Sequence, residues 1–169
     1  MKYLIAQIIG FIAFIFSIIA YQKKSKEKIL GNMIVSNILN LIHYLLLGAF
    51  SGFITKIIAI LRDSFVIIKK KNKILSSKWF LVIFIVIYIF AGIFTYKGIK
   101  SLFPIIASII YIIPIWNGNE ATVRKTAFFC YFLWLIYNFY VFSFSGIFSN
   151  IVSIFSTAAA IRSEKKLEQ

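Results

Sequence analysis

The chain has 169 residues, of which 61% are hydrophobic and 14% charged, at a mean hydropathy of +0.91. An ordinary globular domain carries about a quarter charged residues, and a soluble fold of this length could not hide so much apolar surface. A net charge of +14 would suggest nucleic acid in a soluble protein. Here most of the basic residues fall in the gaps between apolar runs, which favours a topological reading over a nucleic-acid one.

Taken in chain order, seven apolar runs are predicted as membrane-spanning helices: 3–21, 29–47, 50–68, 79–96, 101–116, 126–142 and 147–162. Each approaches the ~20 residues a spanning helix needs, and the bilayer adapts to shorter ones. The period-2 alternation of a barrel strand is missing, and a helix satisfies its own backbone polar groups in lipid. The first run follows Lys2, but Ile19-Ala20-Tyr21-Gln22 offers no small-x-small cleavage pattern, so it is read as a retained helix rather than a signal peptide. On the second run Asn32, Ser36, Asn40 and His43 share one face, flanked by Asn37 and Tyr44. Polar groups against lipid are costly, so this stripe should face the bundle, as ligand contacts or as interhelical hydrogen bonds.

The third run contains Lys56, Arg62 and Asp63, and ionisable residues inside a membrane are functional candidates by default. The alternative is snorkelling, outward for Lys56 and toward the basic loop for Arg62. Lys56 and Asp63 lie about 10 Å apart along a helix axis, so they are not expected to pair. Adjacent Arg62 and Asp63 point about 100° apart, which leaves their pairing open too. Pro104 and Pro114, the only prolines, fall in the fifth run and are read as a hinge or a static kink. The sixth run presents Thr126, Cys130, Trp134 and Tyr137 on one face, with Asn138 at its edge. Trp79 and Trp116 read as interfacial anchors, and the deeper Trp134 as a surface for ligand stacking. Cys130 is the single cysteine, so no disulfide or metal framework is expected, nor any cofactor.

The two ends of the chain repeat each other. Phe50-Ser51-Gly52 returns as Phe144-Ser145-Gly146, 94 positions on. With that offset fixed and no gap, apolar run falls on apolar run from Ile8/Leu102 through Ile67/Ile161. Both tripeptides are expected at a tight turn, where glycine permits positive φ. The repeat pairs Asn40 with Trp134, His43 with Tyr137, and Lys56 with Asn150. It divides the chain into a first three-helix repeat (1–72), a linker helix (73–98), a second repeat (99–162) and a tail (163–169). A three-span unit ends on the face opposite its start, so a second copy in the same orientation needs one more crossing, which the 79–96 run supplies. The fold class expected is an all-α membrane protein of seven helices, two parallel repeats joined by a linker in a 3+1+3 plan.

Charge orients this plan. Lys23, Lys24, Lys26 and Lys28, then Lys69, Lys70, Lys71, Lys73 and Lys78, then Arg124 and Lys125, and finally Arg162, Lys165 and Lys166 all fall on one face. The other face has Lys2, Lys97 and Lys100. The positive-inside rule makes the first face cytoplasmic, with the N-terminus outside and the C-terminus inside.

The 3+1+3 plan resembles the superfamily of SWEET sugar transporters and PQ-loop (MtN3-like) proteins. Within it the chain is most similar to the YgjV-type bacterial inner-membrane proteins. The residues that carry the resemblance are Gln7-Ile8-Ile9-Gly10, Asn37, His43-Tyr44-Leu45-Leu46-Leu47-Gly48, Gly52 and Leu61-Arg62 in the first half. In the second half they are Trp134-Leu135-Ile136-Tyr137 and Ser145-Gly146. The Pro-Gln pair of the PQ-loop branch is absent. The resemblance implies the fold, an N-out, C-in orientation, third and seventh helices facing a central path, hinge prolines and, by analogy of fold alone, transport.

The function expected is small-solute transport across the bacterial cytoplasmic membrane by alternating access. Its substrate-binding residues would be Asn40, His43, Lys56, Trp134, Tyr137, Asn138 and Asn150, with Arg62 and Asp63 as intramembrane charges and Pro104 and Pro114 as the hinge. The partners expected are the lipid bilayer and a small polar metabolite, without nucleic acid; a homo-oligomer is compatible with the sequence. The alternative is a non-transporting receptor or accessory protein on the same fold, using its basic loops as a contact surface. An enzyme is not expected, because the one histidine, one intramembrane carboxylate and one cysteine lie on different helices without catalytic spacing.

Overall fold

The computed structural model describes residues 1–23, 25–69 and 77–167. Of the basic residues assigned to one face, Lys24, Lys70, Lys71 and Lys73 lie outside the described residues, as do the side chains of Lys165 and Lys166. Among the described residues seven α-helices follow one another: α1 (Lys2–Tyr21), α2 (Lys26–Leu46), α3 (Phe50–Lys69), α4 (Lys78–Phe94), α5 (Phe103–Asn117), α6 (Glu120–Tyr140) and α7 (Phe144–Leu167). A short 3-10 turn, Ile99–Leu102, leads into α5. No strand occurs among the described residues. Three stretches are long and apolar enough to cross a bilayer: Lys2–Ala20, Lys26–Leu46 and Ile99–Asn117. Lys78–Phe94 and Phe144–Ala159 are shorter apolar helices. The charged residues of α3 and α6 lower their hydropathy, although each has about the length a span requires.

Neighbours in sequence are neighbours in space. α1 packs on α2 and α2 on α3; α5 packs on α6 and α6 on α7. Two further contacts join the halves, α1 on α7 and α3 on α5, and α4 lies against α3 and α5. At one end of the bundle Lys26 Nζ donates to the Gly118 carbonyl at 3.0 Å and Lys69 Nζ to that of Trp116 at 2.9 Å. These bonds gather the start of α2, the end of α3 and the α5–α6 connection. At the other end Tyr3 donates to the Phe142 carbonyl at 2.8 Å, Lys97 lies over Phe50 and Lys100 over Tyr140. Thus the connections alternate between two ends, as helices crossing back and forth require. Large apolar side chains cover the outside, among them Phe94 (85% exposed) and Phe155 (72%), a surface that water would not tolerate and lipid would cover.

The connections α2–α3 and α6–α7 share one hydrogen-bond pattern. Ala49 N–H reaches the Tyr44 carbonyl at 2.9 Å, and Ser143 N–H reaches that of Asn138 at 3.0 Å, 94 residues later. Gly48 N–H to Leu45 and Phe142 N–H to Phe139 repeat in the same way. This bond from beyond the helix end back into its last turn is the left-handed helix cap. Gly48 takes it at φ 69° and Phe142 at φ 52°. The α6–α7 connection therefore places a phenylalanine where the backbone favours glycine. Between helices the correspondence continues: Ser36 Oγ donates to the Ala13 carbonyl at 2.8 Å, and Cys130 Sγ to that of Ala107 at 3.3 Å.

Three expectations are corrected. The Phe-Ser-Gly tripeptides are not the turns; Phe50 and Phe144 begin α3 and α7, and the positive φ angles fall at Gly48 and Phe142. Glycine at 52 and 146 serves closeness instead. A Cβ on Gly52 would come within 3.0 Å of Tyr44 and Tyr137, and one on Gly146 within 2.6 Å of Asn138. Trp116 is no surface anchor: it is 3% exposed, stacked on Phe65 at 5.8 Å with Lys69 Nζ 3.6 Å from its ring. Trp79, 75% exposed, does face outward. Pro104 lies in the first turn of α5, where a missing N–H removes no helix bond. Only Pro114 stands inside the helix, one turn from its end.

Candidate functional site: a polar cavity between the halves

A cavity of about 100 Å³ opens between α2, α3, α5, α6 and α7, with Ser17 of α1 also in its wall. Much of its lining falls in pairs 94 residues apart: Ser17 with Tyr111, Met33 with Ala127, Ser36 with Cys130, Asn37 with Tyr131, Asn40 with Trp134, Tyr44 with Asn138, Thr55 with Ser149, and Lys56 with Asn150. One pair meets directly: Tyr44 Oη donates to Asn138 Oδ1 at 2.9 Å.

The residues singled out from the sequence separate into two groups. Asn40, Lys56, Arg62, Trp134, Asn138 and Asn150 line the cavity. His43, Tyr137 and Asp63 do not; they stand behind its wall. His43 is fully buried, its Nδ1 2.7 Å from the Ala6 carbonyl and its Nε2 2.7 Å from Ser143 Oγ. A carbonyl only accepts, so Nδ1 carries the proton, and in the neutral ring Nε2 accepts from the serine. This clamps α1, α2 and the α6–α7 connection together. Tyr137 Oη accepts from Ser51 Oγ at 3.0 Å and from Gly52 N–H at 2.9 Å, fastening α6 to the start of α3. The second-helix stripe divides likewise. Ser36 ties α2 to α1, while Asn32 and Asn40 donate to carbonyls one turn back in their own helix.

Neither charged side chain of the cavity snorkels to an interface. Arg62 is 2% exposed and Asp63 1%. Arg62 Nε and Nη2 each lie 2.8 Å from Asp63 Oδ1, so the neighbouring residues do pair. Arg62 Nη1 donates to Tyr88 Oη of α4 at 3.2 Å, and Asn37 Nδ2 donates to Asp63 Oδ2 at 3.2 Å. The pair succeeds across 100° of helix because the long Arg62 side chain bends back onto the neighbouring carboxylate, both groups being buried. Lys56 turns inward, its ammonium 4.0 Å from the Trp134 ring centroid, a cation–π contact. Trp134 in turn stacks on Tyr44 at 5.7 Å.

Sequence reasoning passed over Thr55, Ser149, Ser108 and Tyr111 in the wall, and Tyr88 as a partner of Arg62. Ser149 was open to detection as the 94-residue partner of Thr55. Tyr88 was not, since it comes from the linker helix, which has no counterpart. No group of three or more metal-ligating side chains occurs among the described residues.

The chain matches the Imp-YgjV family model, described as bacterial inner membrane protein, over residues 4–167. No curated protein and no solved structure gives a significant match. The match spans nearly the whole chain, and the chain belongs to this family of bacterial inner membrane proteins.

Proposed function

We propose that this inner membrane protein is a small-solute carrier working by alternating access, built as two parallel three-helix repeats joined by α4 in the manner of the SWEET-like superfamily. One observation carries the reading: much of the polar cavity is lined in pairs by positions 94 residues apart. Carriers built from repeats hold their substrate at the repeat interface near mid-membrane. Exchanging α1, α2 and α3 for α5, α6 and α7 also leaves unchanged which of these six helices pack together, since α1 on α7 becomes α5 on α3. Lys26, Lys69 and the α5–α6 connection meet at one end, which supports a cytoplasmic face there, an external N-terminus and an internal C-terminus. In this reading α4 is a strut, the protein is not an enzyme, and rocking of the halves about the cavity exposes Asn40, Lys56, Trp134, Asn138 and Asn150 to each side in turn. Uptake or efflux of a broad metabolite panel by proteoliposomes is the test. Flux above protein-free vesicles is expected for at least one solute; none, with folded protein, refutes the carrier.

A further inference from the structure

The charges around the cavity do not cancel. Arg62 is met by Asp63 at 2.8 Å. Lys56 has no described carboxylate within ion-pairing distance, and its contact is the face of Trp134. The remaining acids are remote in sequence from the middle of any helix: Glu27 and Glu120 open α2 and α6, and Glu164 and Glu168 close the chain. Among the described residues the interior of the bundle thus holds one cation more than it holds anions. A second group points the same way. Asn150, 7% exposed and in the cavity wall, has its Nδ2 donor buried without a hydrogen-bond partner among the described residues. A buried amide donor without an acceptor is costly, as is a cation without a counter-charge. Both deficits are relieved by the same thing, an anion that also accepts hydrogen bonds. Lys56 and Asn150 occupy corresponding positions of the two halves, so such an anion would be held from both.

We propose that the cavity binds a small monocarboxylate, with Lys56 and Asn150 receiving the carboxylate and the Trp134 face covering its apolar body. This rests on reading the cavity as the solute site and names the substrate class. One unmatched positive charge suits a single negative one. A phosphate monoester brings about −1.5 to −2 at neutral pH and would leave charge uncompensated in a low-dielectric site. The space of about 100 Å³ and the alanine-lined wall at Ala59, Ala107 and Ala127 fit a compact organic acid.

The test uses the full-length protein in mild detergent, at matched ionic strength, with acetate, lactate and benzoate set beside acetamide, lactamide and benzamide, and with inorganic phosphate. Melting temperature reports binding, and tryptophan fluorescence reports any change at Trp134. At least one carboxylate is expected to raise the melting temperature, while its amide and phosphate do not. Lys56→Met and Asn150→Ala should each weaken that carboxylate at least tenfold. Lys56→Arg, which keeps the charge, should retain binding and stands in should Lys56→Met fail to fold. Equal shifts from acid and amide, a shift from phosphate but from no carboxylate, or undiminished binding by Lys56→Met would overturn the assignment. Proteoliposomes separate it from the carrier reading. A carboxylate that binds but is not moved upholds the site and sinks the carrier. Flux of neutral or cationic solutes without carboxylate binding sinks the site and leaves the carrier standing.

Discussion

Replacing Asp63 with asparagine removes one charge and almost no volume. Arg62 would then hold a guanidinium that is 3% exposed in its side chain, with the Tyr88 hydroxyl and the face of the Tyr111 ring as its partners outside residue 63. Breaking one side of a buried pair costs about 3–5 kcal/mol, because the surviving ion is left uncompensated. The two contacts of 2.8 Å to one carboxylate oxygen place this pair among the stronger charge-assisted ones. For a chain of this size a kilocalorie corresponds to about 2–4 °C of melting temperature, so Asp63→Asn should melt roughly 6–20 °C below wild type. Arg62→Met should cost less, since a carboxylate can take up a proton and shed its charge whereas a guanidinium cannot. The double variant Arg62→Met with Asp63→Asn should return to within about 2 kcal/mol of wild type, because no buried charge remains and the new amide oxygen still accepts from Asn37. The assay is thermal unfolding in mild detergent followed by fluorescence of the three tryptophans, read as a double-mutant cycle. Were Asp63→Asn to melt with wild type, or the double variant to lose the sum of the two single losses, the buried-pair reasoning would fail.

Three further outcomes follow from the packing. Gly52→Ala should lose about 1–3 kcal/mol in the same melt, because Tyr44 and Tyr137 are 3% and 2% exposed and both are held by hydrogen bonds. Gly146→Ala should lose more, since a Cβ there meets Asn138 at 2.6 Å rather than 3.0 Å. At the paired helix caps the signs should oppose: Gly48→Ala should destabilise by about 1–2 kcal/mol, the left-handed cost of a side chain, and Phe142→Gly, exposed at 69% and at φ 52°, should stabilise. Equal signs would mean that packing, not backbone strain, governs these caps. A fluorescent protein that matures only in the cytoplasm should light up on the C-terminus and stay dark on the N-terminus; the reverse pattern would overturn the orientation.

The hydrophobic runs by themselves determined that the chain is all-helical and where its helices lie. Apolar length sets where a helix can form in lipid. A fixed offset carried without a gap predicts which positions will correspond, and Asn40/Trp134 and Lys56/Asn150 do share one cavity. Side-chain direction was beyond it. His43 and Asn40 share a helix face, yet one is a locked strut and the other lines the space. The difference lies in what the neighbouring helices bring, the Ala6 carbonyl and Ser143 Oγ for His43. The Arg62–Asp63 pair, and Tyr88 reaching it from α4, likewise depended on tertiary packing. A charged side chain in an apolar run has a few ångströms of reach, and whether it snorkels or turns inward depends on which partner the packed bundle sets within that reach.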